Sequence, residues 1–149
     1  MAPFIVLVVS FLLFRGLGFA GWGYFDPWQT SLQAACAAML LLAASAHWGK
    51  RRPDLIRMVP AAFPRPDRIV TATGYLEIVG AVGLQIPVLA PAASTGLAML
   101  LIAMFPANVR AAREKLTIGG RPVPSLAVRT LLQLVFLAAV VFASPLIPL

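Results

Sequence analysis

Thr73-Gly74-Tyr75-Leu76-Glu77-Ile78-Val79-Gly80-Ala81-Val82-Gly83-Leu84-Gln85-Ile86-Pro87 is an apolar run with one carboxylate near its centre. It sits inside Ile69 to Leu89, about the 20 residues that a helix rising about 1.5 Å per residue needs to cross a hydrocarbon core of about 30 Å. A charged side chain at the centre of such a helix costs about 2.5 to 3.5 kcal/mol on insertion scales. Glu77 is therefore expected to face protein or trapped water, to be paired, or to be neutral. That makes it a candidate site residue; the plainer alternative is a polar contact that locks two helices together. Gly74, Gly80 and Gly83 lie beside it, and small residues let neighbouring helices come close enough to bury a polar group.

The composition agrees with a membrane setting. Of 149 residues 60% are hydrophobic and only 11% charged, and the mean hydropathy is +0.90, far from the usual balance of a soluble domain. The apolar segments have helix length and lack strand-like alternation, which favours an all-α helical bundle over a membrane barrel. One domain, residues 1–149, is expected. The net charge of +7 would suggest nucleic acid in a soluble protein, but most basic residues here flank apolar spans, where they orient a chain in the bilayer. The single Cys36 excludes an internal disulfide and any multi-cysteine metal site within one chain. No metal site is expected.

Five spans can be placed in order. The first, Pro3 to Ala20, carries Arg15. Gly18-Phe19-Ala20 resembles a signal-peptide cleavage site, but no basic stretch precedes the apolar run and an arginine interrupts it, so the segment is expected to remain as a helix. Gly21 to Trp28 makes a tight aromatic connection. The second span, Ser31 to Trp48, ends at His47, just before Lys50-Arg51-Arg52. His47 is either an interfacial histidine or a working one, the only side chain here that titrates near neutrality when unperturbed. Within the polar segment that follows, Leu55, Ile56, Met58 and Val59 with Arg57 suggest a short helix in the interface ended by Pro60; an irregular loop is the alternative. The third span is the one quoted above.

A few residues around Pro91 then join it to the fourth span, Ala92 to Val109, so the two form an antiparallel hairpin. Ala92 and Gly96 give a small-xxx-small pattern there. Pro106 removes a helical donor and is expected to loosen the last turn, leaving backbone carbonyls and the Asn108 amide to line a polar niche. A second basic loop surrounds Gly119-Gly120, and the fifth span runs from Leu126 to Ala143. Arg129 and Gln133 lie one turn apart on it, Gln133 inward and Arg129 able to snorkel outward.

Arginine and lysine cluster between the second and third spans and around the start of the fifth, and both regions are expected to be cytoplasmic. Five spans then require a cytoplasmic amino terminus and an external carboxyl terminus. Ordering the polar residues by depth puts His47 and Asn108 near the cytoplasmic side, Glu77 deeper, and Arg15 towards the outside. Arg15 is within reach of Glu77 in depth, about 5 to 8 Å. If that pair forms, Glu77 stays ionised; if not, desolvation favours the neutral acid, able to carry a proton. The expected ligand-binding niche thus comprises Glu77, His47, Asn108, Arg15 and Gln133.

Gly74 to Pro87, together with Ala103-Met104-Phe105-Pro106-Ala107-Asn108-Val109, resembles the DoxX family of small bacterial membrane proteins, the similarity running from residue 34 to 143. The resemblance implies a plasma-membrane four-helix bundle formed by the second to fifth spans, with the first span an addition. Members of that family are linked to thiosulfate and quinone oxidation or to thiol and oxidative-stress complexes. Two functions follow as expectations. One is a non-catalytic membrane module that binds a lipid or small hydrophobic ligand, or anchors a soluble partner through its basic loops. The other is a membrane subunit of a quinone-linked oxidoreductase, Glu77 and His47 exchanging protons with the quinone and Asn108 bonding its carbonyl. No intrinsic cofactor is expected beyond a bound quinone or lipid, and enzymatic activity stays open. The partners implied are the bilayer, a soluble cytoplasmic protein or oxidoreductase subunit, and a second copy of the chain, with no nucleic acid.

Overall fold

The computed structural model describes residues 1–147. Among these the chain is all-α apart from one very short hairpin. The order is α1 (Ala2–Phe19), one turn of 3-10 helix (Gly23–Phe25), α2 (Trp28–Ser45), α3 (Arg52–Met58), α4 (Pro66–Gly83), α5 (Ala90–Arg113), β1 (Thr117–Ile118), β2 (Arg121–Pro122) and α6 (Leu126–Phe142). Proline opens α1, α3, α4 and α5 within their first two positions. Its fixed φ suits a first turn, and the donor it lacks has no helical partner there. The segment after α2 is thus a short helix, α3, which stops at the extended Val59 preceding Pro60. β1 and β2 are joined through Gly119 and Gly120, both at positive φ (58° and 76°), the two-residue turn whose twist matches antiparallel strands.

Four helices form a ring. α2 packs on α4, α4 on α5, α5 on α6, and α6 closes against α2, while α1 lies outside the ring against α2. α2 thus has protein on several sides, which explains why its buried face is built from Ser31, Ala35, Cys36, Met39, Leu40 and Ala44. Small residues are what close helix approach requires. Leu84, Leu97 and Val140 complete the centre of the core with Cys36 and Leu40. α1 adds a narrow stripe, Leu7, Phe11 and Phe14, spaced for one helical face, while its Ile5, Val9, Leu12 and Leu13 are exposed.

The α4–α5 contact runs through glycines of α4. A Cβ on Gly80 would collide with the Leu97 side chain, and one on Gly83 would stand 2.8 Å from the Ala93 Cβ. The small-residue pair expected to pack on α5 is elsewhere: Ala92 and Gly96 are exposed, and a Cβ on Gly96 would meet nothing within 4 Å. The packing face of α5 is Ala90, Ser94 and Leu97, which the helical period separates from the Ala92–Gly96 row by nearly half a turn. Pro106 lies inside α5 and the helix continues past it to Arg113.

The polar connections gather at the two ends of the ring. At one end, Arg52 of α3 donates to the His47 carbonyl (2.7 Å), the Asp67 carbonyl (3.1 Å) and the Thr71 hydroxyl (2.9 Å), tying the exit of α2 to the first turns of α4. Asp54 accepts from the Gly119 amide at 2.8 Å and pairs with Arg57, and Arg110 donates to the Val59 carbonyl. The opposite end is sewn by glutamines: Gln33 donates to the Ala143 carbonyl (2.9 Å), Gln29 to that of Ile147 (2.9 Å) and Gln85 to that of Gln33 (3.1 Å). Between the ends the outward faces are apolar, with Leu12, Val79, Met99 and Leu131 each more than half exposed. By length and composition, α1 and α5 are long and apolar enough to cross a membrane, and α6 is apolar but shorter, at 17 residues.

Candidate functional site

The candidate site residues fall into three separate groups. Glu77 lies on the buried stripe of α4 with Val70, Gly74, Gly80 and Ala81, and only 4% of its surface is exposed. Its Oε2 stands 3.7 Å from the His47 Nδ1 and has no hydrogen-bond partner. His47, 5% exposed, sits just beyond the last turn of α2, where its Nδ1 is 3.2 Å from the Ala44 carbonyl. Gly74 makes this meeting possible. A Cβ there would stand 2.8 Å from the His47 Cβ and Cγ and from the Trp48 ring, so only glycine lets α4 lie flush against the end of α2. Trp48 in turn packs edge-on against Tyr75, ring centres 5.1 Å apart. Glu77 and His47 are thus brought together as expected.

Arg15 is not with them. Its guanidinium donates to the carbonyls of Phe25 (3.0 Å) and Asp26 (2.6 Å) and lies 4.4 Å from the centre of the Phe19 ring. The α1–α2 connection exposes carbonyls that helical bonding leaves open, and they are nearer and cheaper partners than a carboxylate across the bundle. Of the two arrangements the sequence leaves open, the Arg15–Glu77 pair is therefore not the one formed, and Arg15 caps the connection instead. Ser31 adds a second bond to the same Phe25 carbonyl, at 3.0 Å.

Asn108 and Gln133 also leave the expected niche, for each other. The Asn108 amide donates to the Gln133 Oε1 at 3.1 Å, Arg129 donates to the Asn108 Oδ1, and Gln133 donates to the Leu101 carbonyl at 2.6 Å. This chain joins α5 to α6. Pro106 does not supply the acceptor: the carbonyl a helical proline at 106 leaves without a donor is that of Ile102, four residues back, whereas the Gln133 amide goes to that of Leu101. Arg129, expected to snorkel outward, instead turns inward to Asn108, with its Nε buried and unbonded. Residue spacing along α6 showed that Arg129 and Gln133 share a face, but not that α5 presents its own amide to that face.

The His47 side of the bundle opens onto a cavity that the sequence does not reveal. It has a volume of about 410 Å³ and is walled by α3, the first half of α4, the middle of α5 and the Pro60–Phe63 turn. Met58, Phe63, Leu100 and Met104 are among its apolar walls, and His47 and Thr73 are its polar ones. The Thr73 hydroxyl is already spent on the Ile69 and Val70 carbonyls, at 3.0 and 3.1 Å. A smaller cavity of about 330 Å³ lies on the far side of the same turn, sharing Val59, Pro60 and Phe63 and lined also by Arg57, Arg110 and Glu114. Both are of the size that small-molecule sites occupy. Glu77 is not in the wall of either; it stands behind His47. Among the described residues no cluster of three or more His, Cys, Asp or Glu is placed to hold a metal.

Ring closure, a peripheral first helix and a partly open apolar pocket with a buried histidine in its wall define a small helical-bundle protein with a ligand-sized recess. The chain belongs to the family described as a domain of unknown function, DUF8561, whose match covers residues 36–144. That span runs from the middle of α2 to the end of α6, which is most of the four-helix ring, and leaves α1 outside it. No curated protein and no solved structure matches the chain.

Proposed function

We propose that this protein is a five-span plasma-membrane module of DoxX-like character that holds a small hydrophobic ligand in the cavity between α3, α4 and α5. α1, α2, α4, α5 and α6 are the spans, and the end carrying α3 and the hairpin is cytoplasmic, as its basic residues favour. The apolar outward faces of these helices support lipid as their surroundings, since patches of such extent are rare on soluble monomers. α4 carries Asp67, Arg68 and Glu77, yet the first two lie in its opening turn and Glu77 faces protein. α1 stays with the bundle in this reading, held by Arg15 and by Gly18, where a Cβ would meet the Phe25 backbone.

The observation that carries the function is the cavity itself, apolar on nearly all sides and ending at a buried histidine. Ligand sites take this form, a greasy pocket with few polar groups that fix orientation. Binding is the act of this polypeptide alone; anchoring of a soluble partner falls to its basic end. The test is extraction of the protein, purified in mild detergent, followed by mass spectrometry of the organic phase. A single small hydrophobic species, present at near one per chain and lost when Ala103→Trp fills the cavity, is the expected result. Bulk phospholipid alone, unchanged by the filling substitution, would refute the binding role. Recovery of quinone would move the assignment to the quinone-linked oxidoreductase subunit.

A further inference from the structure

We infer that the ligand in this cavity presents a hydroxyl hydrogen to His47, so that the site takes a phenol or alcohol on a compact apolar body and discriminates against the same body without the hydroxyl. The inference rests on the cavity being a ligand site. Its starting point is which nitrogen of His47 is occupied. Nδ1 faces the Ala44 carbonyl at 3.2 Å and the Glu77 Oε2 at 3.7 Å, two oxygens on one side, so the ring hydrogen sits on Nδ1. A neutral imidazole with its hydrogen on Nδ1 has an acceptor at Nε2.

Among the described residues no hydrogen bond to Nε2 is found, and it is not one of the sealed, unbonded atoms there, which are the Glu77 Oε2 and the Arg129 Nε. His47 is a wall of the cavity, and its open nitrogen is assigned to that face. The other polar wall, Thr73, has its hydrogen committed to backbone carbonyls. The polar side chains of this apolar space thus offer acceptors only, the His47 Nε2 and the lone pairs of the Thr73 oxygen, which leaves a ligand's donor somewhere to go and a ligand's carbonyl without a partner.

The neutral state of the ring follows from its neighbours. The ring is almost wholly buried, and burial disfavours its charged form. The Arg52 guanidinium already donates to the His47 backbone carbonyl at 2.7 Å, and it would repel a second positive charge next to it. Glu77 then acts behind the ring as a positioning residue, keeping the Nδ1 side turned away from the cavity. Met58, Met104 and Phe63 among the cavity walls suit an aromatic body, with which thioethers make favourable contacts.

The test uses 4-octylphenol and its methyl ether, 4-octylanisole, titrated against the full chain in lipid nanodiscs. The phenol is expected to bind at least tenfold more tightly than the ether, and His47→Phe is expected to abolish that ratio while the ether still binds. Equal affinities in the unaltered protein, or a preference that survives His47→Phe, would overturn the inference and leave the cavity as a ligand site. Failure of both probes to bind, with Ala103→Trp making no difference to either, would overturn the cavity assignment itself. The comparison within the unaltered protein stands even if His47→Phe does not fold.

Discussion

Two of the polar clusters inside this bundle, one part-buried between α5 and α6 and one buried between α2 and α4, differ in how their side chains are bonded. Between α5 and α6, Asn108 both donates and accepts, Gln133 does the same, and the chain ends on a backbone carbonyl and a guanidinium. Between α2 and α4, Glu77 has no hydrogen bond and His47 uses one of its two nitrogens. A chain of bonds across two helices fixes their relative position even though the Arg129 Nε stays unbonded, because breaking it strands the partners that are paired. An unsatisfied pair adds nothing to the fold that an apolar pair would not supply, and its position beside a cavity gives it a different use. The first cluster is read here as structure and the second as site.

The sharpest way to break this contrast is Asn108→Ala. It leaves Arg129 and Gln133 without their shared partner, and hydrogen bonds to charged groups contribute about 1.5–3 kcal/mol, so unfolding in detergent should shift by about that amount. A change near zero would remove the structural role from this cluster. Next comes the helix contact that supports both. Gly80→Ala pushes a methyl into Leu97 and should destabilise by about 1–3 kcal/mol, as overpacking does, whereas Gly96→Ala meets open space and should be neutral or stabilise by up to about 1 kcal/mol through helix propensity. Equal effects of the two substitutions would mean that α5 presents a different face to α4.

Glu77→Gln is expected to do less. No hydrogen bond is lost, the side chain keeps its shape, and stability should move by less than about 1 kcal/mol, while the phenol-to-ether preference falls as the ring behind it loses its fixed orientation. A large loss of stability would place Glu77 with the structural cluster. The smallest effect lies outside the bundle. The Gly119 amide, and secondarily Arg57, hold the Asp54 carboxyl below its ordinary range. A lowered folded-state pKa means that its contribution is present above the unfolded value of about 3.9 and is lost as pH falls through the folded value. The Gly119 amide resonance should therefore be unchanged from pH 7 to 5 and shift only below about pH 4; a shift centred near pH 6 would show that Asp54 is not its acceptor.

How much of this was legible follows from what a sequence can encode along one helix. The positions of the long helices, the short α3 and the buried facing of Glu77 could be read from apolar length, prolines and the cost of a lone acid. His47, placed near the cytoplasmic side, and Glu77, placed deeper but in the same niche, do meet. Depth, however, fixes height and not direction around the axis, so Asn108 and Gln133 were assigned to Glu77 when they face each other. Arg15 had the reach for Glu77, but the carbonyls of Phe25 and Asp26 are set by a turn whose shape the residues alone do not give. Ala92 and Gly96 carried the right spacing on the wrong side of α5. The cavity was invisible, since an empty space arises from how α3 and the Pro60–Phe63 turn stand off from α4 and α5.

The central claim, that this space is a ligand site ending at His47, is most directly tested by photolabelling. A 4-alkylphenol carrying a diazirine on its chain, irradiated with the full protein in nanodiscs, is predicted to label peptides containing Met58, Phe63 and Met104, and excess 4-octylphenol should compete this labelling away. Labelling spread over the exposed faces of α1 and α6, undiminished by competitor, would contradict it.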